Sequence, residues 1–384
     1  MNLKTALDRC AYVVYKKPSL PVLLNVLIEP TEKGICITAT DLELHYQAEV
    51  EGVTANDTFT APLELLRKIV KSMKDVKVIN WGPGNVISVG AAKLSGLPKE
   101  EFPGFPLQEV DLDDYREAKL NNLAWVMKAQ STDEIRYSLN GVYLDTKNGQ
   151  MVATDGHRLH MTPVDKFEDV KPVILPSKAV AFLHSIKAES VLLPINGTAI
   201  LYVNGDEVFV SRPIDADFCD YKQVLPQKKN INFRLTTTKE ALKSAIAQTD
   251  GIRSAKSNGI KLRLNGTCHL SASNPDIGEV DLEFKGKFKK LLKPLENPCG
   301  GCDSKNKRID PAIENGECAY ISGCGKFSSY KQSIQEEFNI GVNARYLLET
   351  FAGEDITWEF TDEVGPTTLT FGGEETAIIM PMRL

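Results

Sequence analysis

The sequence predicts an α+β protein of three similar domains, each a doubled unit of helix plus strands. Three observations carry this. A β-hairpin layout returns twice, an apolar helical stripe precedes each hairpin, and a second helix with further strands follows it. The copies start at Asn25, Asn140 and Asn258, so the spacings are 115 and 118 residues. That is the size of whole domains and far beyond the short periods of solenoids.

In the first hairpin, Asn25-Val26-Leu27-Ile28-Glu29 turns at Glu32-Lys33-Gly34 into Ile35 to Leu44. In the second, Asn140 to Asp145 turns at Asn148-Gly149 into Met151 to Asp155, and in the third Asn258 to Leu262 turns at Asn265-Gly266 into His269 to Asn274. The preceding helices show as Leu3, Leu7, Cys10 and Val14, then Leu120, Leu123 and Met127, then Leu242, Ala245 and Ile246, each set on one helical face. The second helices are expected over Leu63 to Met73, Lys178 to Ile186 and Ala344 to Phe351, with Pro62 and Pro176 at the starts of the first two. Closing strands are expected around 76–89, 191–210 and 356–371. Polar breaks near 111–117 and 227–232 place the domains at 1–115, 116–228 and 229–384.

The 384 residues contain no apolar run long enough to span a membrane, and Met1-Asn2-Leu3-Lys4 opens an amphipathic segment unlike a signal peptide. A cytoplasmic protein without membrane contact is expected. The net charge of -6 excludes a uniformly basic surface, so any nucleic-acid contact must be local. Cys10, Cys36, Cys219 and Cys268 sit in apolar segments and read as buried, reduced thiols.

The densest cluster of reactive residue types is Met151 to His160. Asp155, His157 and His160 could serve a metal-dependent hydrolase. Against this, the chain has five His in all, and the equivalent turns at Asp41 and Asn274 lack them, so the Asp reads as a turn residue. The helices suggest another role. Arg67, Lys71 and Lys74 follow one another at i, i+4 and i+7 beside the apolar stripe, and Lys178 starts the corresponding helix of the second copy. One such face is ordinary solvated charge. Its recurrence in an acidic chain points to phosphate contacts that ignore base sequence.

Several separated motifs resemble the bacterial DNA polymerase III beta subunit, the replication sliding clamp. They are Lys17 to Leu27, Ala39 to Glu43, Asp133 to Gly141, Val152 to Leu159, Ile174-Leu175-Pro176, Asp220 to Pro226, Asn343 to Leu348 and Met380 to Leu384. The resemblance implies the DNA clamp fold and a homodimer closed head to tail, with helices inside around double-stranded DNA and sheets outside. It implies no catalysis and no required cofactor. By the same resemblance, Lys17, Arg67, Lys71, Lys74, Arg136, Tyr137 and Lys178 would face DNA. Thr154, Gly156, His157, Arg158 and Leu159 would form one wall of a hydrophobic groove for short linear motifs of DNA polymerase, clamp loader and repair proteins. Val224, Asn343, Tyr346, Val364, Ile379, Met380, Pro381, Met382, Arg383 and Leu384 would complete it. The chain departs from the family at Cys219 and Gln223, and a clamp specialised for a phage or mobile-element replisome is the alternative.

An insertion of about 286–338 has no counterpart in the family. It is rich in Lys and carries Cys299, Cys302, Cys318 and Cys324. Four thiolates could close a structural zinc site, with Cys299-x2-Cys302 as a good half-site and Cys318-x5-Cys324 as a loose one; a reduced or disulfide-prone loop and an iron-sulfur cluster are the alternatives.

Overall fold

The computed structural model describes residues 1–14, 20–104, 111–196, 199–291 and 337–383. They form two compact units. The first comprises Met1–Gly156 and His160–Cys219, and the second comprises His157–Leu159 and Asp220–Leu384.

Helix α1, Leu3–Val13, starts where the Asn2 side chain accepts the Thr5 N–H, and it buries Leu3, Ala6, Leu7, Cys10 and Val13. That stripe is the one expected from sequence, ending one residue short of Val14. α2 spans Leu63–Ser72 and buries Leu63, Leu66 and Val70, while α4 spans Ser177–Ser185 and buries Ala179, Val180, Phe182 and Leu183. α1 packs against both, with Tyr12 edge-on to Phe182 at 6.3 Å.

Between them, the helix expected from Leu120, Leu123 and Met127 shrinks to α3, Leu123–Val126, followed by one 3-10 turn at Met127–Ala129. Two features limit it. Asn122 holds a left-handed backbone at its start, and Gln130 is already extended. His160 Nδ1 donates to the Trp125 carbonyl at 2.9 Å, taking a group that a longer helix would use itself.

One antiparallel sheet of nine strands runs through the first unit in the order 115–119, 190–194, 200–204, 207–211, 44–51, 34–40, 25–30, 59–62 and 97–98. It joins the first two repeats through Glu207–Ser211 against Leu44–Glu51, with Phe209 opposite Tyr46. A buried charge reinforces this junction. Glu207, 3 % exposed, pairs with Arg9 of α1 and accepts the Tyr46 hydroxyl at 2.7 Å. A smaller sheet holds 54–55, 78–82, 86–89 and 92–95, and the second repeat adds hairpin strands 141–145 and 150–154.

In the second unit, α5 spans Lys239–Ala247 under a Thr238 cap, and α6 spans Ala344–Thr350. Strands 278–283, 268–274, 259–264 and 338–343 form one sheet. Strands 376–379, 367–370, 355–360, 233–238 and 286–290 run side by side in another. Alternation along 233–238 and 355–360 sends Leu235, Ile356, Trp358 and Phe360 inward, all fully buried. Gly286–Lys290, at the head of the expected insertion, is a strand paired with Phe233–Thr237.

Of the cysteines expected to be buried, Cys10 and Cys268 are buried, Cys36 is half-buried and Cys219 is exposed. Burial pushes the Cys36 and Cys268 thiols up to about 11, so both remain protonated at neutral pH. Lys17, Leu384, Cys299, Cys302, Cys318 and Cys324 lie outside the described residues.

Candidate functional site

The stretch that looked catalytic is a tight turn shared by the first two copies, with a related turn one position later in the third. The Thr40 hydroxyl accepts the Leu42 N–H at 2.9 Å, the Thr154 hydroxyl accepts the Gly156 N–H at 3.1 Å, and the Asn274 side chain accepts the Asp276 N–H at 3.1 Å. A short side-chain oxygen bonding two residues ahead nucleates a turn without any catalytic role. Gly156 adopts φ +86, and a Cβ there would lie 2.8 Å from Arg136 Nη1. Arg136, expected to face DNA, thus packs beneath this turn, with Nη1 3.5 Å from the Asp155 carbonyl and Nε 3.8 Å from Asp133. Its neighbours Ile135 and Tyr137 stand out into solvent.

Past the turn, the chain enters the second unit. Arg158 is only 6 % exposed. Its guanidinium pairs with Glu349 of α6 and lies 4.7 Å from the centroid of the Tyr346 ring. The His157 ring is stacked on Tyr346, 6.0 Å away and 15° from parallel. Glu349 also accepts Arg345 Nε at 2.9 Å. Partial burial pushes the Glu349 carboxyl up, but the hydrogen bonds from Arg345 and Arg158 outweigh it and hold the pKa below the ordinary carboxylate value. A lowered pKa means that this pairing stabilises the fold at neutral pH and is lost only as pH falls through it.

Asn343 starts α6 in place. Its side-chain oxygen accepts the N–H groups of Arg345 at 2.9 Å and Tyr346 at 3.2 Å, and its amide donates to the Ser257 carbonyl at 3.1 Å. The Met380 N–H donates to the His157 carbonyl at 2.9 Å, which brings the C-terminal strand to the same wall. Of the other residues expected here, Leu159 and Ile379 belong to the core, Val224, Pro381 and Met382 are half-buried, and Val364 and Arg383 are exposed. In the first unit, Thr154 is buried and Gly156 is exposed. Sequence reasoning missed Glu349. Its signal was the i, i+4 spacing from Arg345, which puts the two side chains on one helical face.

Among the residues expected to face DNA, Arg67 and Lys71 both pair with Asp8 of α1, Lys71 at 2.8 Å, and Lys178 pairs with Asp41 at 2.7 Å. Burial raises the Asp8 carboxyl, and its bonds to Lys71 and Arg67 lower it by more. Lys74 is exposed.

The family model of the DNA polymerase III beta subunit N-terminal domain matches residues 1–106, and that of its central domain matches 118–220. The beta sliding clamp of Haemophilus influenzae is 30 % identical over 310 residues, covering 74 % of this chain and 83 % of that protein. This chain belongs to the DNA polymerase III beta subunit family. The Proteus mirabilis beta sliding clamp is 29 % identical over 402 residues, 96 % of this chain and 94 % of its own. Among solved structures, the Caulobacter crescentus beta sliding clamp superposes with a TM-score of 0.77 at 25 % identity, covering 100 % of this chain and 96 % of that one. A Pseudomonas aeruginosa clamp bound to griselimycin gives 0.75 at 24 %, covering 100 % and 97 %.

The fold is accordingly the α+β clamp fold, and the protein is a DNA sliding clamp, a replication factor and not an enzyme. The family functions without a cofactor. The hydrolase alternative fails on geometry as well. His160 is fully buried, stacked on Trp125 at 4.3 Å and bonded to its carbonyl, so it cannot meet a substrate beside Asp155 and His157. The relatives are bacterial clamps, which favours general replication over a specialised phage or mobile-element replisome. Among the described residues, no helix is long and apolar enough to cross a membrane.

Proposed function

We propose that this clamp encircles double-stranded DNA in the cytoplasm as a homodimer closed head to tail. The short linear motifs of DNA polymerase, clamp loader and repair proteins dock on its second unit. The observation that carries the docking site is the aromatic wall, with Tyr346 flanked by the Arg158 guanidinium and the His157 ring, and Met380 bonded beside it. An aromatic face with a fixed cation and a soft methionine edge suits an apolar peptide side chain and tolerates several sequences. Lys74, Tyr137 and Arg136 supply weak phosphate contacts from the first unit, the mode that permits sliding, with Lys178 joining them when Asp41 releases it. Arg67 and Lys71 join them when Asp8 releases them.

Griselimycin, which a Pseudomonas aeruginosa clamp binds, serves as the probe on the proposal that it occupies this wall. Tyr346→Ala is expected to weaken its binding at least about tenfold, roughly 1.4 kcal/mol. An unchanged Kd in a folded variant would reject this wall as the docking site.

Cys299, Cys302, Cys318 and Cys324 form a candidate structural zinc site. The chemistry of four thiolates in a small insert with little core supports it. One zinc per chain is expected on metal analysis of protein purified without chelator. Zero metal together with an unchanged Tm in Cys299→Ser rejects it.

A further inference from the structure

The carboxylate of Glu349 lies between two arginines of opposite exposure. Arg158 on one side is 6 % exposed and Arg345 on the other is 70 % exposed in its side chain. The two bonds use different oxygens, Oε2 toward Arg158 and Oε1 toward Arg345. A guanidinium as buried as Arg158 needs a carboxylate, because an unpaired buried cation is costly. Arg345 has no such need, since water can solvate it. The two bonds are therefore unequal in consequence, although they share one acceptor.

Arg158 also lies over the Tyr346 ring, where its charge meets the negative face of the π system. That contact depends on where the guanidinium plane is held. A carboxylate bonded to one corner of the guanidinium limits how that plane can turn, and Glu349 Oε2 makes such a bond to Arg158 Nη1. Both partners of Arg158 are carried by one helix, and Arg158 itself is anchored elsewhere. Glu349 and Tyr346 share α6, whose first turn is fixed by Asn343, and Arg158 opens a strand whose neighbour Leu159 is in the core.

We propose that Glu349 is a positioning residue of the docking site. It holds Arg158 against the Tyr346 ring and so fixes that ring for the apolar side chain of a docked peptide, an inference that rests on the docking reading above. Arg345 occupies the spare oxygen and is dispensable for this task.

The test uses the full-length protein, griselimycin as probe, and 3-fluorotyrosine incorporated at position 346, whose 19F resonance reports charge over the ring. Glu349→Gln is expected to weaken griselimycin about tenfold and to move the resonance. Arg345→Ala should bind within about twofold of wild type, with the resonance in place. Should Glu349→Gln fold poorly, Arg158→Lys gives the same reading, because it keeps the charge and loses the planar fork. Wild-type binding in Glu349→Gln, or an equal loss in Arg345→Ala, overturns the proposal. Tyr346→Ala separates the two levels. If it binds normally, the docking site lies elsewhere; if it binds weakly while Glu349→Gln and Arg158→Lys bind normally, only the positioning role is wrong.

Discussion

Leu42 holds a left-handed backbone, φ +79, at the position where the second copy of the same turn has Gly156 at +86. A side chain costs roughly 1–2 kcal/mol in that conformation. Glycine avoids this but gives back roughly 0.4–1 kcal/mol through the freedom of the unfolded chain. Leu42→Gly is therefore expected to stabilise the first unit by about 0.5–1 kcal/mol, read as a higher urea midpoint with unchanged slope. A lower midpoint would mean that the exposed leucine makes contacts worth more than its strain. At this scale the sequence was partly legible. The turn was read through its Asp, and Asp41 and Asn274 do accept N–H groups two residues ahead, while Thr40 and Thr154 add a second bond of the same kind. Asp41 also accepts the Leu44 N–H group. His160 gave no sign of its role, because its partner Trp125 is 35 residues away. Cys219 was expected to be buried from its apolar neighbours, yet it is exposed.

The helices were legible from their apolar stripes in all but one case. α1, α2, α4, α5 and α6 follow their stripes within a residue or two. α3 does not, because three apolar residues at helical spacing say nothing about a left-handed Asn122 that delays the start. The polar faces were harder to read. Arg67 and Lys71 lie one turn apart on α2, as their spacing requires, but the carboxylate that occupies both belongs to α1. No periodicity within one element can reveal a partner on another. The consequence for DNA contact is modest. Exposed pairs are worth about 0–1 kcal/mol, so on the proposed DNA-facing role a phosphate would replace Asp8 at little cost, an attraction weak enough to permit movement along the duplex.

For the whole molecule, encirclement predicts a behaviour that binding alone does not. Clamp loaded on a nicked circle should stay for many minutes at a salt concentration that abolishes binding to short duplexes, and it should leave promptly once the circle is cut. Equal loss from circular and linear DNA would exclude a topological link. The threefold repeat was plain in the sequence, since its spacing needs only the hairpins. The edge of the insertion was not, because Gly286–Lys290 reads as a lysine run. It is a strand that turns Phe288 toward Leu235 while Lys287 and Lys289 face water.

The nine-stranded sheet carries a last consequence. Glu207–Ser211 is laced by main-chain hydrogen bonds to Leu44–Glu51, and Arg9 is pinned to buried Glu207, so the first two repeats are expected to unfold as one piece. Parting them would break a whole ladder at once and leave a carboxylate stranded. A closed ring has to be levered apart before it can admit a circular duplex. On the proposed ring, the seam between the first two repeats is therefore expected to stay shut while another one parts.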